Sequence, residues 1–476
     1  MLLLLFGCDG EKPDDTQAAT DDTATDPTPD ECGERVSDDE VRVVGSDSDG
    51  AGNAVAVGDG GQIVVAASFH GMVCVFDAGL PAGEHALRDA TTCWTQEAVN
   101  DYAGIAVANA GDTDMDGADD LIVGAALSNE AASLAGQVYL LYGPQPAGTV
   151  SLADAETAWL GEVQGDQAGT SVSGAGDVDG DGTADLLVGA PSNAEGGSGA
   201  GKAYLLRGPF EGGTASLAEA PASITGLNFG PAPPPHGIPA EGDALGQTLA
   251  SAGDFDGDGL ADVLVAAVGR DETLENQGAA AVFFGPVADG VRTLAEADRL
   301  WVGDAEGQYA GDNVETGGDL TGDGLDDVVI SGDTNDAGTV WVLAGPGTEG
   351  VVPVSEAWAT IAGATEYDQT GAAMAADADW DGDGAADLAI GAFQRDGCAL
   401  DGGAVSLILG PVPAGTSGID DLAARTFFGE EDADEAGRAL AFGDVNGDGL
   451  ADLLIGAHYS DRGGAFGGQA YVKWAD

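Results

Sequence analysis

Six short stretches of this 476-residue chain set carboxylates at alternating positions. In DVDGDGTADLLVGA, residues 177–190, aspartate occupies positions 1, 3, 5 and 9 and glycine position 6. Alternation at 1, 3 and 5 throws three side chains toward one centre. Glycine at 6 permits the sharp turn, and a backbone carbonyl at 7 with a carboxylate at 9 completes an all-oxygen shell. Hard oxygen donors without imidazole or thiolate suit Ca²⁺ rather than zinc or copper.

The other copies start at residues 112, 254, 319, 379 and 444. The ligand sets are Asp112, Asp114, Asp116, the Ala118 carbonyl and Asp120; Asp177, Asp179, Asp181, the Thr183 carbonyl and Asp185; and Asp254, Asp256, Asp258, the Leu260 carbonyl and Asp262. The remaining three are Asp319, Thr321, Asp323, the Leu325 carbonyl and Asp327; Asp379, Asp381, Asp383, the Ala385 carbonyl and Asp387; and Asp444, Asn446, Asp448, the Leu450 carbonyl and Asp452. Thr321 and Asn446 keep an oxygen donor but lose a charge, so those two sites are expected to be weaker. An EF-hand needs a bidentate Glu at position 12 between helices. Position 12 of the 177 copy is Val188, inside an apolar β run. About six ions with a structural role are expected: carboxylates crowded into a tight turn repel one another, and a divalent cation offsets that repulsion.

The elements that must position these loops repeat with them. A short strand precedes each loop and an apolar strand follows it. A third strand ends five times in Gly-Pro, as in GQVYLLYGP and GKAYLLRGP, and a fourth short strand, such as RTFFG, precedes the next unit. An eroded seventh copy, AVAVGDGGQIVVAA at residues 54–67, keeps the apolar run and has lost the aspartates. Seven units of four strands read as an all-β seven-bladed propeller. The last unit stops after its third strand, and VRVVG at residues 41–45 supplies an orphan fourth strand, so an N-terminal strand is expected to complete blade 7 and remove the open edges.

D-x-D-x-D-G-x-x-D followed by L-L-V-G-A-P, repeated around seven units, resembles the FG-GAP repeats of the propeller at the head of integrin α subunits and of many bacterial surface proteins. The resemblance covers residues 41–476. The Phe of the Phe-Gly pair is replaced here, as at Ala168-Gly169, Leu245-Gly246 and Thr370-Gly371. No insertion is large enough for a von Willebrand A-type domain either, so integrin-like ligand chemistry is not carried over.

Other features bound the function. Asp and Glu total 83 against 14 Lys and Arg, a formal charge of −69. Such a polyanion repels phosphate backbones, which argues against nucleic acid. Six divalent ions would offset only a small part of that charge, so most of the acidity is surface. No nucleophile motif, HExxH or P-loop is present, and an enzyme is not expected. Four histidines occur, His70, His85, His236 and His458. His70 and His458 follow the second strands of neighbouring blades and are read as exposed loop residues on the rim opposite the carboxylate loops. The longest inter-blade insertion, residues 226–243 with Phe229, a proline run and His236, reaches the same rim. Phe229, His236, His70 and His458 are the ligand-binding candidates, since loops on a rigid scaffold carry function.

The N-terminus, MLLLLFGCDG, resembles the end of a bacterial lipoprotein signal with Leu5-Phe6-Gly7-Cys8 as lipobox and Cys8 as the lipidated residue. A start codon called too late explains the short apolar run and the missing basic residues. Residues 9–40 are Thr-, Asp- and Pro-rich and are read as a disordered tether. Four further cysteines remain. Cys74 and Cys93 fall on the adjacent third and fourth strands of blade 1 and are expected to pair; Cys32 and Cys398 pair by elimination. The sequence thus points to a calcium-stabilised propeller, lipid-tethered to a bacterial cell envelope or alternatively secreted, that binds a protein or glycan on the rim away from its loops. A hydrolase using that top face and a purely structural envelope protein are the alternatives.

Overall fold

A computed structural model describes residues 34–36, 41–58, 60–227, 242–271, 273–333, 337–347, 350–397 and 399–475. Among the described residues the strands form seven sheets arranged as a ring of blades. No helix there is long and apolar enough to cross a membrane.

Blade 3 shows the pattern. Val172–Gly176 is the innermost strand and pairs antiparallel with Asp185–Ala190, which pairs with Lys202–Leu206 and then Ala222–Thr225. The second and third strands are buried throughout, because neighbouring blades cover both faces of each sheet. Valine, leucine and isoleucine from adjacent sheets interlock between the blades; Leu187 and Leu205 share a cluster with Val263, Val265 and Phe283 of blade 4.

Each sheet has five strands rather than the expected four. Gly290–Thr293, in the connection between the third and fourth strands of blade 4, pairs parallel with the fourth strand of blade 3. Every blade borrows its outer edge from the blade that follows it in the ring. Six of the seven edge strands, GTVS, GVRT and GVVP among them, are four residues long and face solvent on the outside. They lack the apolar alternation that marks a strand in sequence, and their pairing is with a neighbour rather than with the local hairpin.

Ring closure follows the expectation and adds to it. Val41–Val44 pairs with the C-terminal strand Gln469–Lys473 as the fourth strand of blade 7, and Gly83–Ala86 of blade 1 completes that sheet. Glu34–Arg35, within the stretch assigned to the tether, pairs parallel with Arg425–Phe428 as the fifth strand of blade 6. The described part of the ring therefore includes residues 34–36, ahead of residue 41. Val36 is fully buried against the blade 6–7 cluster, and Glu34 accepts two hydrogen bonds from Arg425, at 3.1 and 2.9 Å.

The recurring glycines have a packing reason. A Cβ on Gly124, in the second strand of blade 2, would lie 2.0 Å from the Gly169 carbonyl that opens blade 3. Gly456 of blade 7 stands in the same relation to Gly52 of blade 1, so this close approach also closes the ring.

Candidate functional site

All six carboxylate loops hang between an innermost strand and the second strand of their blade, so they share one rim. In blade 3, Asp177 Oδ1 accepts from the amides of Gly180 at 2.7 Å and Asp181 at 3.1 Å, and its Oδ2 from Gly182 at 2.9 Å. Asp179 Oδ1 accepts from the Asp181 amide, and Asp181 Oδ1 from the Thr183 amide and hydroxyl. The same amide pattern recurs around Asp319, Asp379 and Asp444. The carboxylates thus fold the turn themselves. Each has more acceptor sites than the amides use.

Oxygens of these carboxylates also converge. One oxygen each from Asp112, Asp114 and Asp116, from Asp177, Asp179 and Asp185, from Asp254, Asp256 and Asp258, and from Asp379, Asp381 and Asp387 lie within 4.8 Å of one another in their groups. These acidic clusters could hold a metal ion. The residues fit a hard divalent cation: the donors are all oxygen, and Asp254 Oδ1 is buried with no hydrogen-bond partner among the described residues. In blade 3 a fixed cation already stands close, with Arg207 Nε 3.5 Å from Asp179 Oδ2. The eroded copy in blade 1 forms a plain hairpin, with Gly58 paired to Gln62.

Position 9 does more than the sequence reading assigned to it. Asp185 is fully buried; Oδ2 accepts from the Val178 amide and Oδ1 from the Gly208 amide, both at 3.0 Å. The second bond ties the loop to the Gly-Pro end of the third strand. Asp120, Asp262, Asp327 and Asp387 make the same bond to Gly143, Gly285, Gly345 and Gly410, and Asp452 makes it to Ala475. Burial pushes Asp262 up to about 7 and Asp185, Asp327 and Asp452 to about 6, against the amide bonds that pull them down. Asp120 and Asp387 are raised for the same reason.

The opposite rim corrects one expectation. His458 is not an exposed loop histidine. Its ring is buried, packed 4.0 Å from the Tyr459 ring and 6.2 Å from Phe69, and burial, with Arg438 nearby, pushes its pKa down to about 3. The last residues of a buried second strand carry it inward. His70 is half exposed, with Nδ1 2.7 Å from Asp49 Oδ1. The two blades do meet there, through Phe69. Phe229 and His236 lie outside the described residues, as do Cys8, Cys32 and Cys398. His85 sits on the outer edge strand of blade 7, its Nε2 2.8 Å from the Pro81 carbonyl. Cys74 and Cys93 face each other in register and are disulfide-bonded.

Two features of this rim escaped the sequence reading. One is a ring cluster at the blade 7–blade 1 junction, in which Tyr459 lies 6.3 Å from Phe69 and 5.8 Å from Phe466, with Phe466 54% exposed. The other is a buried aspartate three residues before the glycine that opens each inner strand. Asp101, Asp166, Asp243 and Asp368 each accept from a backbone amide of the inter-blade turn, and Asp49 and Asp434 do likewise. Blade 5 uses Gln308 instead. The signal was present as a recurring D-x-x-G, but it lies in polar turns that periodicity does not score.

Three segments match the family model described as FG-GAP repeat, residues 168–206, 245–283 and 436–472. Each runs from the opening turn through the third strand of blades 3, 4 and 7. Solved structures that the chain resembles include BBS1N in complex with ARL6DN, soaked with lead, at 12% identity over 88% of this chain and 89% of that chain with a TM-score of 0.42. The Dos1 propeller matches at 11% identity over 88% and 77%, with a TM-score of 0.40. Three of the seven blades thus carry segments that match the FG-GAP repeat, within a ring of seven sheets.

Proposed function

We propose that this FG-GAP propeller is a calcium-stabilised binding module, held at a bacterial cell envelope through lipid on Cys8, that recognises a protein or glycan on the rim opposite its carboxylate loops. The observation that carries the binding reading is the Phe69–Tyr459–Phe466 cluster. It sets partly exposed rings on a rigid rim of a chain whose surface is otherwise dominated by carboxylates. Aromatic groups of this kind anchor protein interfaces, where rings are enriched at the buried centre. His70, the half-exposed residue next to Phe69 in the chain, is paired with Asp49.

Calcium in this reading is structural. Bound ions would neutralise carboxylates that the fold holds together and fix the turns on which the inner strands end. The residues that would hold them are those of the six loops, with the Thr321 and Asn446 loops the weakest. Anchoring is supported by the lipobox residues Leu5-Phe6-Gly7-Cys8.

The test pairs a glycan array with a pull-down from envelope extracts, run in calcium. Tyr459→Ala with Phe466→Ala should abolish capture while the melting curve stays intact. Undiminished capture by that variant overturns the assignment of the site. For the ion, chelation should lower the melting temperature by many degrees, and an unchanged melt in EDTA overturns the structural role of calcium.

A further inference from the structure

The six loops do not stand apart on their rim. The carbonyl of Asp177, position 1 of the blade 3 loop, accepts the amide of Ala261, position 8 of the blade 4 loop, at 3.1 Å. The next residue along is Asp262, the buried position-9 carboxylate of that neighbour. The carbonyl of Asp379 in blade 6 accepts from Ala451 of blade 7 at 3.2 Å, again one residue before a position-9 aspartate, Asp452. Between blades 4 and 5 the link runs through a side chain, with the Asp254 amide donating to Asp326 Oδ2 at 2.7 Å, beside Asp327.

An apolar contact accompanies these bonds. The position-7 leucine of one loop lies over the position-4 glycine of the loop before it. A Cβ on Gly180 would lie 3.0 Å from Leu260 Cδ2, one on Gly257 2.7 Å from Leu325 Cδ2, and one on Gly382 3.1 Å from Leu450 Cδ2. Glycine at position 4 thus leaves the space that the neighbour's leucine fills. The backbone carbonyl of each of those leucines is also a candidate ligand.

We infer that adjacent loops are coupled, so that filling one site orders its neighbour and raises the neighbour's affinity for calcium along blades 3, 4 and 5 and between blades 6 and 7. This rests on the calcium reading above. The physical route is short. An ion draws the position-1 residue of its loop into a fixed place, and that residue's backbone is bonded to the segment holding the neighbour's position-9 ligand. Ordering paid at one loop is then not required again at the next, which gives positive cooperativity. At the blade 1 end the chain of loops stops, because Ala54, Ala56, Gly58 and Gln62 stand where the pattern has its aspartates.

Trp380 allows one site to be read alone, since it lies between Asp379 and Asp381 in the blade 6 loop. Terbium, an oxygen-seeking lanthanide, is titrated into the calcium-free full chain with tryptophan excitation. Trp380→Phe identifies the part of the emission that belongs to blade 6. Asp448→Ala, which disables the blade 7 loop, should weaken terbium binding at blade 6 by about 5-fold or more, within the usual span of such couplings. Asp181→Ala, in remote blade 3, should leave blade 6 unchanged. Leu450→Ala removes the contact without touching a ligand side chain, and alanine already serves at this position as Ala118 and Ala385. It should reproduce part of the Asp448→Ala loss. Blade 6 binding that ignores both Asp448→Ala and Leu450→Ala overturns the coupling while leaving the calcium reading intact. Absence of any terbium emission overturns both.

Discussion

Replacing Asp185 by alanine separates the two roles of a position-9 aspartate. The side chain is fully buried and accepts one amide on each oxygen, from Val178 and Gly208. Truncation leaves two N–H groups without partners, one buried and one part-buried, each costing about 1–3 kcal/mol, so a loss of about 2–6 kcal/mol is expected with no metal involved. Unfolding entropy of about 2 cal/mol/K per residue gives this ring roughly 0.9 kcal/mol/K, which converts the loss to about 2–7 °C in Tm. The comparison is Asp181→Ala, an exposed position-5 aspartate whose bonds are to its own turn. In EDTA, differential scanning calorimetry should show Asp185→Ala well below wild type and Asp181→Ala within about 1 °C of it. In calcium both should fall. Equal Tm values for the two variants in EDTA would refute the bracing role and leave position 9 as a metal ligand only.

Other outcomes follow from the same structure. Asp262, Asp185, Asp327 and Asp452 are raised above the ordinary carboxylate value by burial, so the folded state holds protons that the unfolded chain releases. Their contribution is fully present below about pH 4 and is lost as pH rises through about 6–7; Tm in EDTA should therefore fall from pH 5 to pH 7.5, and Asp262→Asn should flatten the slope. Calcium competes with those protons, so its stabilisation should be larger at pH 7.5 than at pH 5, as parallel melts would show. Cys74→Ala with Cys93→Ala opens a crosslink of sequence separation 19, worth about 3 kcal/mol by the chain-entropy estimate, and native wild-type protein should not label at either sulfur. Starting the chain at Val41 removes the edge strand Glu34–Arg35 and buried Val36; a loss of about 2–4 kcal/mol should appear as a lower denaturation midpoint, with restoration by the peptide-containing full chain.

The ligand loops were legible because their information is local. Alternating aspartates and one glycine define the turn within nine residues, and the apolar run after them can only be a buried strand. Counting units gave seven blades and the closing strand Val41–Val44, since both ends of the chain were incomplete in complementary ways. His458 was misplaced for the converse reason. A histidine just after a strand reads as a loop residue, and only the neighbouring blade, arriving through Phe69, buries it. The Phe69–Tyr459–Phe466 cluster joins residues from opposite ends of the chain, so no window of sequence contains it.

The sequence by itself determined the repeat, the all-β class, the number of blades and the rim that carries the carboxylates, because each follows from spacing and side-chain type within one unit. The tertiary structure alone decided what passes between units: the borrowed fifth strand, the latch of Glu34 on Arg425, the bond from Asp177 to Ala261 and the burial of position 9 under the third strand. These depend on how far one sheet sits from the next. That distance is fixed by interlocking valine, leucine and glycine across the blade interfaces, where the partners are far apart in sequence and nothing local encodes the pairing.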